Sequence, residues 1–132
     1  MAIEVNWWGV LLAALSGFVI GGLWYALLFA KPWQRAAGVT DEQLRHGAVR
    51  AFAGTFVLSF VMSAALAAFI GPAGAGFGAA AGAVAGIAWV AAAFGVNYLF
   101  ERRSLTLFAI NGGYNAVTFT VMGLIVGAMQ AS

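Results

Sequence analysis

Three asparagines, Asn97, Asn111 and Asn115, stand inside long apolar runs of this chain, and Thr118 follows Asn115. At the helical period Asn111, Asn115, Thr118 and Met122 share one face. A separate apolar run places Thr55, Ser59 and Ser63 four apart. Uncharged amides and hydroxyls donate and accept hydrogen bonds. Within a membrane they either bond one helix to another, at about 0.6–2 kcal/mol per bond, or line a polar pocket or path. Both readings stay open. Proton-coupled transport normally draws on an ionisable side chain inside the membrane. No Asp, Glu, Lys, Arg or His stands clearly inside these runs, and Glu4 lies too near the end of the first.

Catalysis has less support. Asp41, Glu42 and His46 share one short region, with Glu42 and His46 at i, i+4. That spacing suits a surface ion pair on a helix. No nucleophile, base and orienting group fall together. One histidine and no cysteine exclude a multi-histidine or thiolate metal site. The chain is therefore read as a non-enzyme with no metal and no cofactor.

The elements that must position the amides are long. Apolar stretches run over about 6–29, 51–70, 78–100 and 105–129. Each supplies about the 20 residues that cross a ~30 Å hydrocarbon core as a helix. Hydrophobic residues make up 64% of the 132-residue chain and charged residues 8%, against roughly 25% charged in a soluble domain. A chain this short cannot bury that much apolar surface in its own core. Lipid is its solvent, and backbone groups in lipid pair within the helix. Nothing alternates as the strands of a membrane barrel would. The expected fold is an all-α integral membrane bundle of four transmembrane helices, one domain over residues 1–132. The first stretch has no basic leader and is expected to be retained as a helix. The small positive balance points to lipid headgroups, not nucleic acid.

Basic charge is confined to two connections. Lys31, Arg35, Arg45 and Arg50 lie in the first, and Arg102 and Arg103 in the third; the second, 71–77, has none. Basic residues near helix ends favour the cytoplasmic side, so both termini are expected to be extracytoplasmic. Lys31, Arg35, Arg50, Arg102 and Arg103 are expected at the lipid headgroups. Within the first connection, Pro32 should stop or kink the first helix and Gly38 suits a helix end or turn. Thr40 to Gln43 reads as a capping box, with the second helix beginning near Asp41 and projecting from the membrane. Trp7 and Trp8 suit one interface, Trp33 and Tyr98 the other.

Glycines mark the close contacts. Gly74, Gly78, Gly82 and Gly86 fall four apart, and an unbroken α-helix carries that face on through Trp89, Ala93 and Asn97. Gly17 and Gly21 repeat the spacing, and Gly112, Ala116, Thr120, Gly123 and Gly127 form a second face beside the Asn111 face. Small residues at this period let helix backbones approach. Whether the partner is the same chain or a second protomer stays open. Glycine faces on three helices exceed what one small bundle needs, so a homo-oligomer is expected. Asn97, Asn111 and Asn115 are expected in one layer near the charged end, with Ser59 and Thr118 lining the same interior. The endings Trp24-Tyr25 to Lys31 and Asn97-Tyr98 to Arg102 echo each other faintly, as two parallel hairpins would.

Asn6-Trp7-Trp8, Gly22-Leu23-Trp24-Tyr25, Phe29-Ala30-Lys31-Pro32-Trp33, Phe100-Glu101-Arg102-Arg103-Ser104, Ile110-Asn111-Gly112-Gly113-Tyr114 and Val121-Met122-Gly123 together resemble the bacterial membrane proteins catalogued as domain of unknown function 1761. The resemblance spans nearly the whole chain, less so in the second and third stretches. It implies four spans in a bacterial inner membrane and carries no established activity. Members often have Pro after the Trp-Tyr pair and His after the Gly-Tyr pair. Here Ala26 and Asn115 stand there, so no imidazole role transfers. The expected function is a small oligomeric transport or permeation protein with a polar amide layer. The alternative is an accessory or scaffold subunit that packs against another membrane protein.

Overall fold

The computed structural model describes residues 4–131, and every regular element among them is helical. Asn6 opens α1 (Trp7–Gly22), its Oδ1 accepting the Gly9 N–H at 3.1 Å. A π-helical segment, Leu23–Leu28, completes the first span. Two short helices follow, α2 (Ala30–Ala37) and α3 (Asp41–His46). The second span is α4 (Ala48–Ile70). The third joins α5 (Ala75–Val84), a second π-helical segment (Ala85–Ala91) and α6 (Ala92–Glu101). The fourth is α7 (Leu105–Gln130), capped by the Ser104 hydroxyl on Leu107 N–H. Four helices are thus long and apolar enough to cross a membrane, as composition requires, and the protein is an all-α membrane bundle.

The spans run antiparallel in sequence, so one end holds both connections rich in Lys and Arg. We call this the basic end and the other the terminal end. The bundle is organised on α7, which packs against α1, α4 and the third span. Near the terminal end Val10 and Ala13 of α1, Leu66, Ala67 and Ile70 of α4, and Phe119, Met122 and Val126 of α7 form the apolar core. Polar side chains close that end. Gln130 Nε2 donates to the carbonyls of Ala67 (2.9 Å) and Gly71 (3.0 Å) while its Oε1 accepts the Asn6 N–H (2.9 Å). Toward the basic end α4 departs from the bundle. Val49, Phe52, Val57 and Leu58 are exposed there, with the Phe18 ring set against Phe52 and Phe56.

The glycine faces meet within the chain. A Cβ on Gly78 would overlap the Gly123 carbonyl oxygen, and one on Gly82 the Phe119 carbonyl oxygen. A Cβ on Gly86 would lie 2.8 Å from the Asn115 carbonyl, and one on Gly127 would strike that of Gly74. The third and fourth spans therefore touch backbone to backbone, a contact that packing in lipid favours. On the first span, a Cβ at Gly17 would lie 2.7 Å from Met122 Cε, and one at Gly21 would lie 3.4 Å from the Tyr114 hydroxyl. These seven glycines all face other spans of one chain, so they give no argument for a second protomer.

The structure refines the sequence reading of the first connection in three ways. The first span ends at Phe29, whose φ/ψ of −125°/22° leaves the helical region. The break falls beside the Leu28 carbonyl, four residues before Pro32, where a proline ring clashes and offers no N–H. Pro32 sits in the first turn of α2, where its missing N–H costs nothing. Second, residues 30–37, read in the sequence only as part of a connection, form an amphipathic helix; Lys31 and Arg35 are exposed while Trp33 packs on Tyr25 with ring centroids 5.3 Å apart. A helix of this kind lies along a membrane interface. Third, the predicted capping box is present, with Thr40 Oγ1 accepting Gln43 N–H and Gln43 Oε1 accepting Thr40 N–H, but the helix it starts breaks at Gly47 before α4 begins. Gly38 closes α2 at φ 72°, the left-handed conformation that favours glycine. Arg50, Arg102 and Arg103 are exposed at the same end as Lys31 and Arg35, and Arg103 pairs with Glu101 at 3.4 Å.

Candidate functional site

The two π-helical segments lie beside neighbouring stretches of α7: Trp24 and Tyr25 of the first meet residues 110–114, and Gly86 and Ala91 of the second meet residues 112–119. An α-helix advances 3.6 residues per turn, whereas a π turn inserts about one extra residue. The face that α5 turns to α7 therefore shifts by one residue beyond Gly86. Ala91 and Tyr98 carry it on, while Trp89 is 72% exposed and Ala93 and Asn97 are exposed as well. The expected place of Asn97 in the amide layer is overturned by this shift. Tyr98 takes it. In the first span the segment Leu23–Leu28 delivers Trp24 and Tyr25 to the same level.

Asn111 is the centre of the layer. Its Oδ1 accepts the Tyr25 hydroxyl at 2.6 Å, and its Nδ2 donates to the Tyr98 hydroxyl at 2.7 Å. One amide of α7 thus joins the first span to the third. Trp24 Nε1 donates to the Ile110 carbonyl at 2.8 Å, its ring against Gly113, where a Cβ would lie 3.1 Å away. Tyr114 packs edge-on to Tyr25, centroids 5.1 Å apart, and donates to the Gly17 carbonyl at 3.2 Å. Asn115, 7% exposed, donates from Nδ2 to the Asn111 carbonyl at 2.9 Å. The tyrosines carry as much of this layer as the amides, and amide spacing alone did not disclose them. The Trp-Tyr and Asn-Tyr pairs at the ends of two spans were the available signal.

Deeper in the bundle the polar line continues. Gly17 on α1 stands where Ser59 on α4 and Thr118 on α7 converge: its Cβ position is 3.5 Å from Ser59 Oγ and 3.6 Å from Thr118 Cγ2. Ser63 lies one turn beyond Ser59. Ser63 and Thr118 are 0% exposed, and among the described residues neither hydroxyl makes a hydrogen bond of good geometry, with the Tyr114 hydroxyl the polar neighbour of Thr118. A helical Ser or Thr ordinarily returns its hydroxyl to a carbonyl of the preceding turn, as Thr120 does to Ala116 at 2.7 Å. Leaving a buried hydroxyl unpaired costs about 1–3 kcal/mol. Thr55, by contrast, is exposed on the departing part of α4 and does not line this interior.

Around the basic end lie two shallow clefts. One, of about 350 Å³, is bounded by Pro32, Arg35, Ala36, Ser104 and Thr106. The other, of about 420 Å³, is bounded by Lys31, Gln34, Arg35, Thr40 and Asp41. Glu42 and His46 are 3.7 Å apart on the exposed side of α3, the surface pair that their spacing implied. Among the described residues no group of three or more His, Cys, Asp or Glu is placed to hold a metal.

A family model described as a protein of unknown function, DUF1761, matches residues 8–127. No curated protein and no solved structure matches the chain.

Proposed function

We propose a function for this chain, which belongs to the DUF1761 family: it binds and passes a small polar solute through the interior of its own bundle. The observation that carries this reading is the pair of hydroxyls without a hydrogen bond of good geometry, Ser63 and Thr118, fully buried in line with Asn115 and Asn111. Polar groups left unbonded in a membrane interior are costly, and a transient polar guest offsets that cost. The Tyr25–Asn111–Tyr98 bridge closes the line toward the basic end, and the apolar core around Val126 and Phe119 closes it toward the terminal end. The conformation is thus a closed one. The clamp at Gln130 holds α4 at one end while its other half is mostly exposed and meets α1 through Phe18 against Phe52 and Phe56, which suits α4 as the element that moves.

The protein resides in the bacterial inner membrane with its basic end cytoplasmic and both termini extracytoplasmic. This follows from six basic side chains at one end and the preference of such residues for the cytoplasmic side. Lys31, Arg35, Arg50, Arg102 and Arg103 hold that end at anionic headgroups, each worth about 1 kcal/mol near a charged surface. Purified chain in liposomes, offered a panel of ions and small polar solutes, tests the reading. Flux above empty liposomes is expected for at least one solute. It should fall in Asn115→Leu and rise in Tyr25→Phe, which weakens the closing bridge. Flux indifferent to both changes sinks the proposed route.

A further inference from the structure

We infer that Ser59, Ser63 and Thr118, beside the tip of Met122, form a seat for a small uncharged solute that both donates and accepts hydrogen bonds. The inference rests on the permeation reading and adds the class of solute.

The seat is assembled from three spans. The tip of Met122 fills the space beside Gly17 of α1, where Ser59 Oγ of α4 and the Thr118 methyl of α7 approach, and Ser63 extends the hydroxyl line by one turn. Ser63 and Thr118 are wholly buried, and neither hydroxyl makes a hydrogen bond of good geometry, with Tyr114 the polar neighbour of Thr118. A hydroxyl offers one donor and two acceptor positions, so the set complements a molecule carrying both functions, such as water, a small polyol or urea.

Charge is absent from the surroundings. Among the described residues, α1 and its π-helical extension carry no Asp, Glu, Lys, Arg or His, α4 carries none beyond Arg50, and α7 carries none. An anion would find no cation there, and a cation no carboxylate. Backbone carbonyls do not supply the deficit. Sites for bare cations inside membranes are commonly built on interrupted helices whose carbonyls are free. Here α1, α4 and α7 are regular α-helices through the seat, and their carbonyls are taken up by the helices themselves. The π-helical segment of the first span lies nearer the basic end, at the Asn111 level, and that of the third span, whose Gly86 packs on Asn115, Ala116 and Phe119, contributes no residue to the seat. A hydrated ion would have to shed its shell into three hydroxyls, whereas a neutral solute exchanges its hydrogen bonds with little loss.

Met122 sets the size. It is fully buried, and its Cε lies 2.7 Å from the position a Gly17 Cβ would take. A thioether chain has several soft torsions and repacks readily. Its withdrawal from Gly17 opens space of the order of its own tip, which admits compact solutes and holds back larger ones.

The test uses the full chain in liposomes. Osmotic shrinkage read by light scattering reports water, glycerol and urea; ion-sensitive dyes report K⁺, Na⁺ and Cl⁻. Neutral solutes should cross and ions should not. Thr118→Val and Ser63→Ala, both close in shape to the native residue, should each lower neutral flux about fivefold, the weight of one net hydrogen bond. Thr118→Ser should restore it relative to Thr118→Ala, which keeps the comparison if the valine variant fails to fold. Met122→Ala should raise it and admit larger polyols. Ion flux equal to neutral flux and lowered by the same variants would overturn the uncharged class and leave permeation standing. Neutral flux that responds to Asn115→Leu but not to the hydroxyl variants would overturn the seat alone. No flux of any solute would overturn both.

Discussion

Replacing Gly82 by alanine probes the closest contact in the bundle. The added Cβ would overlap the Phe119 carbonyl oxygen and lie 2.8 Å from the carbonyl carbon and 3.1 Å from Thr120 Cα. All three are backbone atoms of α7, so no side chain can turn aside. The third and fourth spans must part. A separation of roughly 1 Å forfeits a quarter to a half of each contact well of about 0.1–0.2 kcal/mol. Over on the order of 30 atom pairs along the seam this amounts to about 1–3 kcal/mol, in the range of measured overpacking. Alanine recovers some of this through helix propensity, up to about 1 kcal/mol. Gly54 is the control, because a Cβ there meets nothing within 4 Å; Gly54→Ala should be neutral or stabilising by up to about 1 kcal/mol. The two variants should therefore differ by about 2 kcal/mol in reversible unfolding in bicelles, followed by tryptophan fluorescence. Equal stability of Gly82→Ala and Gly54→Ala would refute the backbone-to-backbone seam. A loss that disappears on dilution would instead place Gly82 between protomers.

Three further perturbations address other parts of the bundle. Asn111→Leu removes both bonds of the Tyr25–Asn111–Tyr98 bridge and should destabilise by about 1–3 kcal/mol; a double-mutant cycle with Tyr25→Phe should give a coupling near 1 kcal/mol, and zero coupling would deny the bond. Gln130→Leu strands the Gly71 carbonyl and the Asn6 N–H and takes one of two donors from the Ala67 carbonyl, which keeps the Gly71 N–H. It should lower stability by about 1–3 kcal/mol and speed hydrogen exchange in the last turn of α4, while exchange near Tyr25 stays as it was. Thr40→Ala removes the cap of α3 at a local cost of about 1 kcal/mol; exchange at Gln43 should accelerate with the unfolding midpoint of the spans unchanged.

Much of the architecture was legible because lipid imposes a crude and strong rule. Four apolar runs become four spans, with ends within a few residues of the bounds that hydropathy implied: 51–70 became Ala48–Ile70 and 78–100 became Ala75–Glu101. The cap at Thr40 and the helix end at Gly38 were readable because each depends on local backbone geometry alone. Ser59, Asn111, Asn115 and Thr118 fell in the interior as helical period implied. Asn97 and Thr55 did not. Asn97 was projected along an ideal α-helix, and a single π turn at Ala85–Ala91 removed it from the face. Thr55 was projected on a helix assumed to stay in the bundle along its whole length, whereas α4 leaves it.

The sequence by itself therefore determined the solvent, the number of spans and the end that bears the charge, all of which follow from composition summed over many residues, and its motifs carried the resemblance to the family. It also determined that glycine faces exist. It could not say what those faces touch, since helical period specifies a direction around one helix and nothing about the neighbour. Tertiary structure decided that Gly78, Gly82 and Gly123 meet inside one chain, that Tyr98 replaces Asn97 beside Asn111, and that Ser63 and Thr118 end buried without a hydrogen bond of good geometry. Each of these turns on a rotation of about one residue or a shift of about an ångström between helices, at 100° per residue, and only the packed bundle sets quantities that small.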